Sequence, residues 1–514
     1  MKRSTMVPGL LLAAAGLAQA QNSTTLTIYS TAAPGAIPAS MYRPVPPSLQ
    51  MYSAPNGYGY GYGYGGRPGL PGYAVVKQDR TITLEKGRNT LAFDDVAALI
   101  EPTTVMFESV TDPDGTKVVE QSFQFDLVSA QKMLERYVGK QINLDGQTVK
   151  LLSANAAGGV LIEEADGQVQ WKNGYGSIRF PGLADNLIVK PTLAWDLYAG
   201  VGGEHQTRVS YQTEGITWWA DYNIVFAEGK DANSGTLDVG AWVSILNQSG
   251  ASYADARLKL VAGDVHRAPQ PGQAFDGRLG MNGAREASSA PAGFAEKSFF
   301  EYHLYTLGRA TTIPENSTKQ IELFDPARGV PADKVLVYYG LSGWPGFFPN
   351  PVTDRELGFE TNKKVDTYLR FKNSKQNGMG MPLPSGRIRV SKLDAADKSL
   401  EFIGEDVIDH TPKDETVLIK MGSAFDVVGE RSIQEFSVDH DAEWMDETIE
   451  IKLRNHKDEA VNVIVKENLY RWVNWEITQK SHAFEKMDAR TVHFPVRVEP
   501  DGEVVVRYKV RYSW

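Results

Sequence analysis

The stretch "YAVVKQDRTITLEKGRNTLAF" at residues 73–93 decides how the fold is read. Apolar and polar residues alternate along it, a period of two that puts successive side chains on opposite faces of a strand. "EKGRN" at 85–89 adds a glycine-containing turn, so the stretch predicts a β-hairpin.

Toward the C-terminus the same alternation recurs. "DPDG" at 112–115 predicts a second turn. One segment departs from period two. In "SAQKMLERYVGK", Ala130, Met133, Leu134, Tyr137 and Val138 follow helical spacing, with Ser129 as N-cap and Gly139 as stop. A short helix over about 129–138 is expected. The short strands "QINLDGQTVKLLSA", "GGVLIEEADGQVQW" and "GSIRF" follow, and their tight turns predict a small barrel-like or sandwich module. Longer strands come next, in "QTRVSYQTEGITWWADYNIVF", "GTLDVGAWVSILNQSG" and "ARLKLVAGDV". Residues 264–298 are rich in Pro, Gly, Ala and Ser and are expected to be a disordered loop. The last segment ends in the strands "ETIEIKLRNHK", "AVNVIVKENLY" and "EVVVRYKVRYSW".

Together these patterns predict a mainly β, multi-domain chain of sandwich-type antiparallel sheets, with a small barrel-like module and one short helix. The expected units are an N-terminal β module at 73–180, a central sandwich region at 181–429 and a C-terminal sandwich at 430–514.

The N-terminal region sets the expected compartment. "MKRSTMVPGLLLAAAGLAQAQ" has a basic start, a short apolar run and small residues at Ala18 and Ala20, the order of a signal peptide over 1–20. Export to the periplasm, cell envelope or extracellular space is expected. Residues 21–72 are dominated by Ser, Thr, Ala, Pro, Gly and Tyr and end in "GYGYGYGYGG" at 57–66, a composition that predicts a flexible tether. An adhesive surface of tyrosines is the competing reading.

The chain has no cysteine, which removes disulfides, thiolate catalysis and thiolate metal sites. Its formal charge of −10 gives it no general attraction for nucleic acid. No apolar run reaches the roughly 20 residues of a transmembrane helix.

Several separated blocks carry a resemblance. "GITWWADYNIVF", "LNQSGASYADARLKLVAGDV", "EYHLYTLGRATTIPENSTKQIEL", "PLPSGRIRV" and "IEIKLRNHKDEAVNVIVKENLY" resemble bacterial proteins carrying the domain of unknown function 4139. The resemblance runs from about Tyr73 to Trp514 and implies a secreted or envelope-associated β protein, some of whose relatives are labelled mucoidy inhibitors. It brings no catalytic residues with it.

Nucleophile elbows, zinc-binding helix pairs, phosphate loops and EF-hand loops are not found in the sequence. "VDHDAEWMDE" places Asp439, His440, Asp441, Glu443, Asp446 and Glu447 close together, and Asp439, Asp441 and Glu443 are the candidate calcium ligands. A solvated acidic loop explains the same residues without a ligand. "GEDVIDHTPKDE" offers Glu405, Asp406, Asp409 and His410 on the same terms. Trp218 and Trp219 should face opposite sides of a strand, so one can be core while the other is exposed, and Trp472 and Trp475 are similar candidates for aromatic contacts. In "VRYKVRYSW", Val506, Tyr508, Val510, Tyr512 and Trp514 alternate with Arg507, Lys509 and Arg511, as in a soluble closing strand or the last strand of an outer-membrane barrel. The preferred expectation is a non-enzymatic envelope protein that binds a protein or polysaccharide. A hydrolase or metal-dependent enzyme acting on envelope polymers, and a membrane β-barrel, are the alternatives.

Overall fold

The computed structural model describes residues 23–30, 35, 37, 72–94, 96–155, 159–184, 187–263, 265, 294–299, 302–341, 348–355, 362–394 and 396–514. The expected signal segment, the Gly-Tyr repeat at 57–66 and residues 266–293 lie outside them. The protein is mainly β, and the described residues form several antiparallel sheets with one short helix and no closed barrel.

Strand β1, Ser23–Tyr29, lies within the segment expected to be a tether. It runs antiparallel to β2 (Tyr73–Leu84) and parallel to a strand far along the chain, pairing Thr25–Tyr29 with Arg257–Val261. Leu26 and Ile28 are fully buried. "STTLTIY" alternates with period two, so one face joins the core while threonines fill the other. The tether reading is therefore corrected for 23–29. Tyr29 and Tyr73 are cross-strand partners at the end of the β1–β2 pair, and their rings stack at 4.7 Å.

The hairpin expected at 73–93 does not form. β12 (Gly203–Thr213) takes one edge of β2 from Ala74 to Leu84 and β1 takes the other from Tyr73 to Asp79, so β3 (Gly87–Phe93) could pair with only the last few residues of β2. Gly87, at φ +105°, turns the chain out of that sheet, and Asn89 closes the corner by donating to the Glu85 carbonyl (2.7 Å). β3 pairs instead with β11 (Thr192–Ala199), whose other edge holds β5 (Lys117–Gln124); β4 (Ile100–Ser109) joins β12. The "DPDG" turn lies between β4 and β5, where the Asp112 side chain accepts from the Gly115 N–H (3.2 Å).

Helix α1, Ala130–Tyr137, starts where Ser129 Oγ accepts the Lys132 N–H (3.2 Å). Met133, Leu134 and Tyr137 are buried, while Ala130 and Val138 face solvent, so its apolar stripe is narrower than the spacing implied. Beside it, β6 (Gln141–Leu144), β7 (Gln147–Ala154), β8 (Gly159–Glu163), β9 (Val169–Asn173) and β10 (Ile178–Arg179) form an open sheet in the order β10-β6-β7-β8-β9. This corrects the barrel-like expectation: the two edge strands do not meet. The unit has its own core, whereas β2 to β5 join a larger one with the strands that follow.

The rest of the chain repeats one four-strand unit. It comprises β14 (Ser234–Asn247), β15 (Tyr253–Ala262), β17 (Tyr302–Ile313) and β18 (Ser317–Tyr339), preceded by β13 (Ile216–Glu228) and with β16 (Phe294–Phe299) inserted. It recurs as β19 (Lys364–Lys372), β20 (Gly386–Leu393), β21 (Leu400–Ile408) and β22 (Thr416–Asp439). The third copy is β23 (Trp444–Asn455), β24 (Val461–Asn468), β27 (Thr491–Val498) and β28 (Glu503–Ser513), with β25 (Trp475–Lys480) and β26 (Glu485–Lys486) inserted. β16 corrects the end of the segment expected to be disordered: it pairs with β17 and buries Phe294.

Each unit turns its first strand on a buried asparagine. Asn247 Nδ2 donates to the carbonyls of Ala251 (2.8 Å) and Pro314 (3.0 Å), and Asn373 to those of Met381 (2.8 Å) and Pro412 (3.0 Å). Asn455 does the same with Glu459 (2.8 Å) and Glu499 (3.1 Å). The side chain thus clamps two connections that carry no ladder bonds of their own. Each second strand also takes a parallel partner: β15 takes β1, β20 takes β13, and β24 takes β18. The long strands β18 and β22 close one unit and pair with the first strand of the next, fusing the units into one sheet. Residues 429 and 430, the expected boundary, fall inside β22.

On β28, Val506, Tyr508, Val510 and Tyr512 are buried, while Arg507 and Arg511 are exposed. The charged face pairs across the ladder. Arg511 donates to both Asp446 oxygens (2.7 and 2.8 Å), Lys509 Nζ lies 3.0 Å from the same carboxylate, and Arg507 bonds Glu450. Asp446 and Glu447 are therefore strand residues of β23, which corrects their reading as part of a solvated loop. The hydrogen bond from Arg511, with Lys509 in support, holds the Asp446 carboxyl below the usual carboxylate range. A depressed pKa contributes stability that is present above the unfolded value, about 3.9, and is lost as pH falls through the folded one. Asp446→Asn should cost about 1.5–3 kcal/mol at neutral pH. Denaturation at a series of pH values should show that gap closing below about pH 4; a gap that stays constant down to pH 2 would refute the linkage.

Candidate functional site, a polar cleft on the long sheet

Four neighbouring strands, β20, β13, β14 and β18, place polar side chains on one face. Period two does this: Trp218, Ala220 and Tyr222 of β13 point into the core, so Trp219 and Asp221 point outward. Register then aligns Asp221 with Arg387 on one side and Trp242 on the other, and Trp219 with Ser244, which itself pairs with Gln320. A cleft of about 400 Å³ opens among Trp219, Asp221, Ser244, Gln320, Arg387 and Arg389, with Thr318 at its rim and Gly35 and Ile37 forming a further wall.

Asp221 is the hub. One of its oxygens accepts from Trp219 Nε1 (2.7 Å) and Ser244 Oγ (3.1 Å), and the other from Arg389 Nη1 (3.4 Å). Gln320 Nε2 donates to Ser244 Oγ (3.0 Å), and Glu405 lies 3.7 Å from Arg389. Arg387 differs. It neighbours Asp221 in the ladder, yet no carboxylate among the described residues pairs with it, and it is half-buried. Its guanidinium lies against Gly35, where a Cβ would sit 2.5 Å from Nη2, so glycine at φ +74° permits the approach. Ser30 reaches the neighbouring strand β13, with its Oγ 3.4 Å from Thr217 Oγ1.

The residues singled out by sequence are distributed as follows. Trp218 is buried, edge-on to Tyr305 at 6.4 Å, and Trp219 is half-buried in the cleft wall. Trp472 and Trp475 are half-buried against the C-terminal core, and Lys486 Nζ sits 4.6 Å over the Trp475 ring. Asp439 caps the β22–β23 hairpin, accepting from the N–H groups of Asp441 (3.1 Å) and Ala442 (2.9 Å), while Glu443 takes a positive φ. Among the described residues no group of three or more His, Asp or Glu side chains is placed to hold a metal ion, so Asp439, Asp441 and Glu443 are not brought together as ligands. Asp406 accepts from the Lys420 N–H (2.6 Å) and His410 Nδ1 from the Ser385 N–H (3.0 Å).

Sequence reasoning missed two groups. Ser109 Oγ lies 2.9 Å from His205 Nδ1, but both residues are buried and the other imidazole nitrogen contacts the Val201 carbonyl (3.1 Å), so the pair ties β4 to β12. The second group is ionic. Inside the C-terminal core, Arg431 donates to Glu467 (2.9 Å), which also accepts from Tyr508 (2.5 Å). Arg471 donates to Glu447 (3.0 Å) and to the carbonyls of Val352 (3.0 Å) and Asp354 (2.7 Å). No local pattern signals these partners, because they come together from five separate segments.

Comparison of the chain with family models, curated proteins and solved structures gives no match.

Proposed function

We propose that the chain is an exported, non-enzymatic protein of the cell envelope, of the kind its sequence blocks resemble, and that it acts by binding a partner in the cleft around Asp221. The observation that carries this reading is Arg387, a cation with no carboxylate partner among the described residues, in a cleft where Trp219, Ser244 and Arg389 are already fixed on Asp221. Leaving a half-buried guanidinium unpaired is costly in a site with no ligand, whereas a bound anion or polar group offsets that cost. The surrounding groups are held by each other, so they are preorganised for binding.

The test uses the intact protein, immobilised and exposed to a detergent-free envelope fraction of its own cell. Retention of a specific envelope component should fall at least tenfold for Arg387→Gln and for Trp219→Ala, with both variants still folded by circular dichroism. Protein recovered from the envelope should begin at Gln21. Retention unchanged by either substitution refutes the site.

A further inference from the structure

The cleft also specifies what kind of molecule fits it. We propose that its ligand is an acidic saccharide, a ring rich in hydroxyls that carries a carboxylate, and this rests on the binding role proposed above. Three observations lead there.

First, the floor of the cleft is a paired ladder. Asp221 lies between Arg387 and Trp242, and Ser244 between Trp219 and Gln320, so neither offers an open row of backbone N–H and C=O groups, although β13 meets β20 only from Ala220 on and β18 meets β19 only from Ala332 on. An extended peptide that adds a strand needs an open edge, which the floor at Asp221 and Ser244 lacks. A ligand seated on that floor is read by side chains.

Second, beside the charged Asp221, Arg387 and Arg389 the cleft presents neutral donors and acceptors and one aromatic wall. Gln320 and Thr318 line the cleft from β18, the buried Ser244 supports it from β14 through its bonds to Asp221 and Gln320, and the half-buried Trp219 bounds it. Amides, hydroxyls and an indole together match sugar hydroxyls and the apolar face of a pyranose ring. A volume of about 400 Å³ lies within the usual size range of small-molecule sites.

Third, the local charge selects an anion. Arg389 is engaged by Asp221 and Glu405, whereas Arg387 is left to pair with the ligand. A planar guanidinium matches a carboxylate by two parallel hydrogen bonds. Among the described residues of the cleft Arg387 is the one cation without a carboxylate, and in a chain of net charge −10 that does not suit a polyanion such as nucleic acid.

The experiment is isothermal titration of the intact protein with a glucuronic acid trimer and, separately, a glucose trimer. The acidic trimer should bind at least tenfold more tightly, and Arg387→Gln should bring the two affinities within about twofold. Arg387→Lys, which keeps the charge but loses the fork, should retain part of the preference. Equal binding of both trimers, or a preference untouched by Arg387→Gln, overturns the proposal. If neither trimer binds while Arg387→Gln still abolishes envelope retention, the saccharide assignment fails and the site stands. If retention is also unaffected, both fail.

Discussion

Replacing Arg431 with methionine should destabilise the C-terminal core by about 3–5 kcal/mol, the usual cost of stranding one member of a buried ion pair. The core around it contains Leu336, Val365, Ile449, Val463, Phe494 and Tyr508, and almost no water reaches Arg431 or Glu467. Burial works against the Arg431 charge, yet the Glu467 carboxylate outweighs it and the guanidinium pKa ends above its ordinary value. With Arg431 gone, Glu467 keeps one hydrogen bond, from Tyr508, and must either hold an uncompensated charge or take up a proton.

A second substitution separates this account from simple loss of packing. Removing the whole linked set, as Arg431→Met with Glu467→Met and Tyr508→Phe, leaves the Arg471–Glu447 pair intact and no unpaired charge, and should recover most of the loss. Guanidinium denaturation of the three proteins measures both effects. A single-variant cost below 1 kcal/mol, or a triple variant as unstable as the single one, would mean that the charges are solvated or that shape alone matters. The neighbouring Arg471 is placed for the same role: its guanidinium lies 4.5 Å over the Phe436 ring while bonded to Glu447.

These ionic residues mark the limit of what sequence alone conveyed. Period-two alternation was readable because it is local, and Tyr508, Val510 and Tyr512 are buried while Arg507 and Arg511 line the outer face. Asp446 and Glu447 looked like part of an acidic loop because their neutralising partners, Arg511 and Arg471, lie far along the chain. Sheet pairing, which is non-local, brings them together. The turn at 85–89 was likewise legible as a turn, but which strand flanks β2 depends on β1 and β12. The cleft illustrates the same division. Trp219 was marked by its side of the strand, whereas Arg387, Ser244 and Gln320 join it only through the register of three further strands.

The N-terminal strand was obscured for a different reason, since a composition averaged over residues 21–72 hides seven alternating residues at its start. Deleting residues 21–30 should have an effect as large as that of Arg431→Met. β1 joins the two halves of the seven-stranded sheet, ordered β16-β17-β15-β1-β2-β12-β4, so its loss bares one edge of β15 and one of β2. Leu26 and Ile28 alone contribute roughly 1.5–3 kcal/mol each by burial. With the ladder bonds added, the total approaches the 5–15 kcal/mol that holds a whole domain together, about enough to unfold the first core. A nick distinguishes a structural strand from a tether that merely precedes the fold. With a protease recognition sequence inserted within 57–66, cleavage should give two bands on a denaturing gel but one peak on gel filtration, because pairing with both β2 and β15 keeps β1 in place. The melting temperature should fall only modestly, since no pairing is broken. If the N-terminal fragment elutes alone and the remainder melts as before, β1 is dispensable and the sheet closes without it. If the fragment stays bound and the deletion unfolds the first core, residues 23–29 belong to the fold and not to a tether.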